Sequence, residues 1–133
     1  MGTLSQFATG PGSGFTFPVS GASLGYLGMP QNSQSASYTL VLSDSGKSIY
    51  HPAADTTVRT YTIPAASAVA YPIGTTINFV NMTAEVVTIA ITSDTMYLGG
   101  SGATGSRSLA QYGIANAMKL TSTTWIITGY GLT

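Results

Sequence analysis

Residues 71–81 read YPIGTTINFVN. Pro72 has no backbone N–H to donate, and Gly74 accepts the positive φ of a tight turn, so the stretch opens with a stop and a turn. From Ile77 onward the residues alternate. Ile77, Phe79 and Asn81 point one way, and Asn78, Val80 and Met82 point the other, which is the period of a half-buried β-strand. EVVTIAIT (85–92) repeats the device with Val87, Ile89 and Ile91 on one face. The NMTA link between the two is short enough for a hairpin.

Working outward, SYTLVL (37–42), KSIYH (47–51), TTVRTYTI (56–63), MYLGG (96–100), IANAMKLT (114–121) and TWIITGY (124–130) also read as strands. They are punctuated by SDSG, HPAAD, PAAS, GGSGATGS and STT, which carry the Gly, Pro, Asp and Ser of turns. The best helical candidate, SLAQYGIANAMKL (108–120), is interrupted by Gly113 and alternates after it. Short strands at this spacing predict an all-β fold, a compact antiparallel β-sandwich or barrel over residues 37–133. A domain of that size holds a thin core, and its sheet edges need cover.

Residues 1–36 differ. They are rich in Gly, Ser and Pro, carry no charge, and show no sustained period. Phe7, Phe15, Phe17, Leu24, Tyr26 and Leu27 interrupt them. Flexible linkers lack such residues, and isolated exposed Phe is a liability. The expectation is an extended docking arm that lays these six side chains on a partner subunit; the alternative is a partly disordered tail.

Charge is scarce throughout. Asp, Glu, Lys and Arg make up 6% of the 133 residues and balance to zero, against about 25% in ordinary globular domains. With 44% hydrophobic residues, the chain also lacks the polarity that disorder requires. An exterior so poor in ions favours association. Nucleic-acid binding is disfavoured, because Lys47, Arg59, Arg107 and Lys119 are scattered rather than clustered. No cysteine is present, so there is neither a disulfide nor a thiolate metal site. No stretch reaches the roughly 18 apolar residues of a membrane span, and the first basic residue is Lys47, far from the start where a signal peptide is positive. NMT (81–83) is a formal glycosylation acceptor.

Chemistry is hard to find. His51 is the one histidine, with Asp44 and Asp55 near in sequence, but no G-x-S-x-G elbow accompanies it. Asp44, Asp55, Glu85 and Asp94 each lie in or beside a turn, which explains an Asp better than paired acid catalysis does. One His and four scattered carboxylates make no metal cluster. GGSGATGSR (99–107) has the glycine spacing of a phosphate loop, but Ser106 stands where Lys is required. It reads as a flexible loop. Eight Tyr and Trp125 could stack on sugar, although Trp125 sits in an apolar run that suits a core. The expectation is therefore a protein with no catalytic, cofactor or metal residues.

Residues 56–133 resemble a small β-domain of tailed-bacteriophage virion proteins. The resemblance is carried by RTYTIPAASAVAYPIGTTINFVN, VVTIAITSDTMYLGGSGATGSRSLAQYGIANAMKL and TSTTWIITGYGLT. The matching features fall on Ile63, Pro64, Pro72, Gly74, Thr75, Leu109, Tyr112, Gly113, Trp125 and Gly129. LVLSDSGKSIYHP (40–52) resembles the strand and turn that often precede them, so the likeness covers about two thirds of the chain. It implies a non-enzymatic virion structural protein: a capsid decoration (cement) protein, a head fibre or a tail-fibre piece. The short chain and the arm favour decoration of the outer capsid surface. Its partners would be the major capsid protein and copies of itself in a homotrimer, with neither nucleic acid nor membrane. The alternative is a glycan-binding host-recognition module on a head or tail fibre.

Overall fold

The computed structural model describes residues 28–133. In chain order the strands are β1 (Gln31–Ser33), β2 (Tyr38–Thr39), β3 (Ser48–His51), β4 (Arg59–Ile63), β5 (Thr76–Asn81), β6 (Val87–Ile91), β7 (Thr95–Leu98), β8 (Arg107–Thr121) and β9 (Thr124–Leu132). Among the described residues the one helical turn is a 3-10 turn at Leu42–Asp44. The fold is all-β, as the alternating pattern predicts.

The pairing corrects the antiparallel expectation. β1, β3 and β5 form one parallel ladder, and β2, β4 and β6 form another. The chain crosses to the other ladder after each strand from β1 to β5, so it winds as a coil with two strands per turn. Parallel neighbours need a crossover connection, and here each crossover contains a strand of the opposite ladder. The NMTA link is therefore not a hairpin. β5 and β6 do not pair with each other, and the short link turns a corner between ladders.

Both ladders end on β8. β5 pairs antiparallel with its residues 113–118, and β6 with its residues 107–109. β9 occupies the other edge of β8, and β7 adds in parallel to β9. All nine strands thus belong to one sheet, curled so that the two ladders face each other.

The curl coincides with a break in the β8–β9 register. From Leu109 to Ile114 is five positions on β8, while their partners Leu132 and Tyr130 are two positions apart on β9. The surplus forms a large bulge, which bends a strand. Tyr112 sits in it with φ 59°, in the left-handed region. Two glycines let the strands close around it. A Cβ on Gly129 would lie 2.2 Å from the Ile114 carbonyl oxygen and 2.6 Å from Ala115 Cα. A Cβ on Gly113 would lie 2.7 Å from the Ala110 carbonyl oxygen. Only a residue without a side chain tolerates such approaches.

Between the ladders lies one core. Ile49, Ile77 and Phe79 come from the first ladder, Tyr61, Ile63, Val87 and Ile89 from the second, and Leu109, Trp125 and Ile127 from β8 and β9. Each large apolar side chain buried here stabilises by about 1.5–3 kcal/mol. Ile77 and Phe79 are buried as the opening stretch predicts, and Trp125 is fully buried with Tyr71 edge-on to it at 5.6 Å. β8 shows an inverted pattern. Small Ala115 and Ala117 point inward, while Ile114, Met118 and Leu120 point out.

The expected arm lies mostly outside the described residues. Phe7, Phe15, Phe17, Leu24, Tyr26 and Leu27 all fall before Gly28. Gln31–Ser33, within the stretch assigned to the arm, is in the sheet as β1.

The bulge gives a direct prediction. Gly129→Ala lowers unfolding stability by at least about 2 kcal/mol, since a methyl cannot fit against fixed backbone. Gly28→Ala, with open space around the added carbon, leaves it unchanged. Denaturant melts of the two variants check this.

Candidate interaction surface

The interior polar groups are the natural place to look for chemistry, and most of them hold corners. His51 ends β3 and Asn81 ends β5, and the two are register partners. After each, the chain crosses to the other ladder. His51 is fully buried, with Nε2 2.8 Å from Asp55 Oδ2. Arg59 grips the same carboxylate with two donors, Nε to Oδ2 at 2.7 Å and Nη2 to Oδ1 at 3.1 Å. These hydrogen bonds, Arg59 first and His51 second, hold the Asp55 carboxyl well below the usual carboxylate range. An ionised Asp55 only accepts, so His51 Nε2 donates to it. His51 Nδ1 is buried with no hydrogen-bond partner among the described residues. This cluster braces the 52–58 crossing, and the hydrogen bond made by the His51 ring goes to Asp55 rather than to a hydroxyl.

Asn81 does the same work at the next crossing. Its amide Nδ2 donates to the carbonyls of Glu85 (2.8 Å) and Leu109 (3.0 Å), and its Oδ1 accepts from Thr83 N–H. The formal glycosylation acceptor is thus a fully buried tie between the corner and the start of the β8 bulge. Asp44 is likewise structural. Buried, it accepts from Asn32 Nδ2, Tyr38 Oη and Val41 N–H. Burial, then this hydrogen bond, raises the Tyr38 hydroxyl. Asp94 accepts from Ala66 N–H with both oxygens. Glu85 contributes its backbone carbonyl to the Asn81 corner. Turn and corner duty accounts for Asp44, Asp55 and Asp94, as the sequence predicts, and no group of three potential metal ligands occurs among the described residues.

The Gly-rich loop differs from expectation in one respect. Gly100, Gly102 and Gly105 have positive φ, but main-chain bonds tie the loop down: Leu98 N–H to Ala103 O, Gly102 N–H to Leu98 O, and Gly99 N–H to Ile127 O. It is a closed turn rather than a slack connection.

The unexplained feature is on the outside. The outward face of β3, β5, β8, β9 and β7 runs in register rows. One row reads Tyr50, Val80, Ile114, Tyr130. The next is polar but uncharged: Ser48, Asn78, Asn116, Thr128. The third reads Thr76, Met118, Ile126, Tyr97. None of these twelve positions carries charge. Tyr130 is 84% exposed, Ile114 49% and Met118 40%, and Tyr112 in the adjoining bulge is 69% exposed. Sequence reading did not single out this face. Its signal is the inverted alternation of IANAMKL, which becomes legible only once Ala115 and Ala117 are known to point inward.

Two outcomes follow for the corners. Asn81→Ala strands two carbonyls and an N–H and lowers stability by about 1–3 kcal/mol in equilibrium unfolding. Asp55 has a depressed folded-state pKa, so its stabilisation is present above the ordinary value near 3.8 and is lost as pH falls through the lower folded value. Asp55→Asn is therefore less stable than the parent at neutral pH, and the two converge in strong acid, as unfolding measured against pH will show.

No family model, curated protein or solved structure matches this chain.

Proposed function

We propose that this chain is a non-enzymatic structural protein of a bacteriophage virion, a capsid decoration (cement) protein that stabilises the head by bridging capsid subunits. The observation that carries the proposal is the uncharged outer face of the β5–β8–β9 region. A water-facing surface normally spreads charge to stay dispersed; this one offers apolar and neutral polar rows to another polypeptide. Binding across neighbouring subunits stabilises the assembled state by mass action.

The phage-like motif supports the same reading, because its residues define the fold. Ile63, Pro64, Leu109 and Trp125 are buried, Gly74 has φ 89°, and Tyr112, Gly113 and Gly129 build the bulge. A motif made of architecture suits a module whose task is to be a surface. Residues 1–27, with Phe7, Phe15, Phe17, Leu24, Tyr26 and Leu27, supply the apolar docking segment of this proposal, and a homotrimer is its expected assembly.

A specific observation favours one alternative. Three exposed tyrosines, Tyr97, Tyr112 and Tyr130, offer rings on which a sugar can stack, as a host-recognition module on a head or tail fibre would need.

Immunogold labelling and copy counting of purified virions separate the two. Decoration predicts label over the whole head at copy numbers comparable to the capsid subunits. A handful of copies confined to a tail or fibre favours the alternative, and absence from virions contradicts both.

A further inference from the structure

We infer that the outer edge of β1 is a docking site for this chain's own residues 15–19, which add to it as a further parallel strand. The inference goes beyond the proposed function. It seats Phe15 and Phe17 on the chain's own sheet, so that the docking segment acts on its partner from that root, with Phe7 ahead of it.

The edge comes first. An edge strand shows a row of unpaired N–H and C=O groups, and proteins guard such rows. The sheet ends on β1, β2 and β7. The Gly-rich loop covers β7: Leu98 N–H donates to Ala103 O, Gly105 N–H donates to Met96 O, and Tyr97 bridges Thr104. β2 is two residues long, and Asp44 takes the Val41 N–H just beyond it. β1 is different. Pro30 O accepts from Ser48 N–H, and Gln34 N–H donates to Tyr50 O, so residues of this phase turn their main chain to β3. Gln31 and Ser33 have the opposite phase and turn theirs outward. Among the described residues nothing pairs with them on that side, and Gln31, Asn32 and Ser33 carry no charge to guard the row.

The segment fits by phase. Residues 15–19 read FTFPV, with Phe15, Phe17 and Val19 alternating against Thr16 and Pro18. Pro18 has no N–H, so its phase must face away from the ladder. That leaves Phe15, Phe17 and Val19 to bond Gln31 and Ser33. In parallel pairing, the arrangement within both ladders of the coil, this sets Phe17 beside Asn32 with both side chains on one face. The Asn32 side chain reaches Asp44, which also holds Tyr38, and Tyr38 packs against the core. The apolar side of the segment therefore lands on the core side of β1.

Reach selects the source. Phe17 precedes Asn32 by 15 positions, close to the 17 from Gln31 to its neighbour Ser48 in the next turn of the coil. A short tether holds a segment at about millimolar effective concentration. The chain's own segment therefore outcompetes that of a second copy in dilute solution.

Amide exchange in the full-length protein, followed residue by residue by NMR at low and high concentration, tests the inference. The Ser33 amide should exchange at least about tenfold more slowly than an unbonded amide, and equally at both concentrations. Phe17→Pro, which removes a pairing N–H and the ring beside Asn32, should abolish the protection. Thr16→Pro, in the outward phase, should keep it. A Ser33 amide that exchanges at the unbonded rate in the parent overturns the inference. So does protection that grows with concentration, the sign of a second copy, and so does protection that Phe17→Pro retains or that both prolines abolish alike. Virion labelling succeeds or fails separately, since exchange is read on the isolated protein.

Discussion

The fold depends on one shared strand. β8 gives one edge to β9 and divides the other between β5 and β6, so both parallel ladders terminate on it. A straight strand would leave the ladders side by side in a flat sheet, each with an uncovered apolar face. The bulge at 110–113 folds one ladder onto the other and creates the core. Gly113 and Gly129 permit that bend because their backbones approach neighbours too closely for any Cβ. Asn81 then fastens the corner, joining the β5 end, the crossing at Glu85 and Leu109 on β8. Bend, corner tie and core are one cooperative unit.

Much of this was legible in the residues, and the remainder was hidden for physical reasons. Period-two alternation located β3 to β7 and β9 within a few residues and oriented Ile77, Phe79, Val87 and Ile89 correctly, but it began the strand at Ile114 where β8 begins at Arg107, because the bulge interrupts the alternation there. It could not give pairing partners, because alternation reports which side faces the core and not which strand lies alongside. Short links such as NMTA usually mean hairpins, and here the same length turns a corner. The coil also shows no repeat. From Gln31 to its neighbour Ser48 is 17 positions, and from Ser48 to Asn78 is 30. SYTLVL kept only Tyr38–Thr39 as strand, since Asp44 gathers Val41 N–H and Tyr38 Oη and pulls the chain into a 3-10 turn. The outer face was invisible because a central strand squeezed between ladders takes alanines inward, and this sends Ile114 and Met118 to the surface.

The few charges are consistent with that picture. Asp55 and Arg59 neutralise each other at a corner beside His51, and Asp44 is enclosed by donors. Lys119 is buried with its ammonium 5.7 Å from the Trp125 ring centre, where the face of the indole offsets part of its desolvation. Asp44, Asp55, Arg59 and Asp94 are thus engaged at turns and crossings, and the broad face is left neutral. The scarcity of charge in the sequence and the uncharged face are therefore the same fact seen at two levels, and the proposed role on a virion surface draws on both.

Native-state hydrogen exchange tests the dependence on β8 most directly. If the two ladders lean on one bent strand, the amides of β3 and β5 and those of β4 and β6 exchange through a single global opening with the same free energy, as does β8 on both sides of the bulge. A distinct, lower-energy opening of one ladder while the other stays protected would contradict the account.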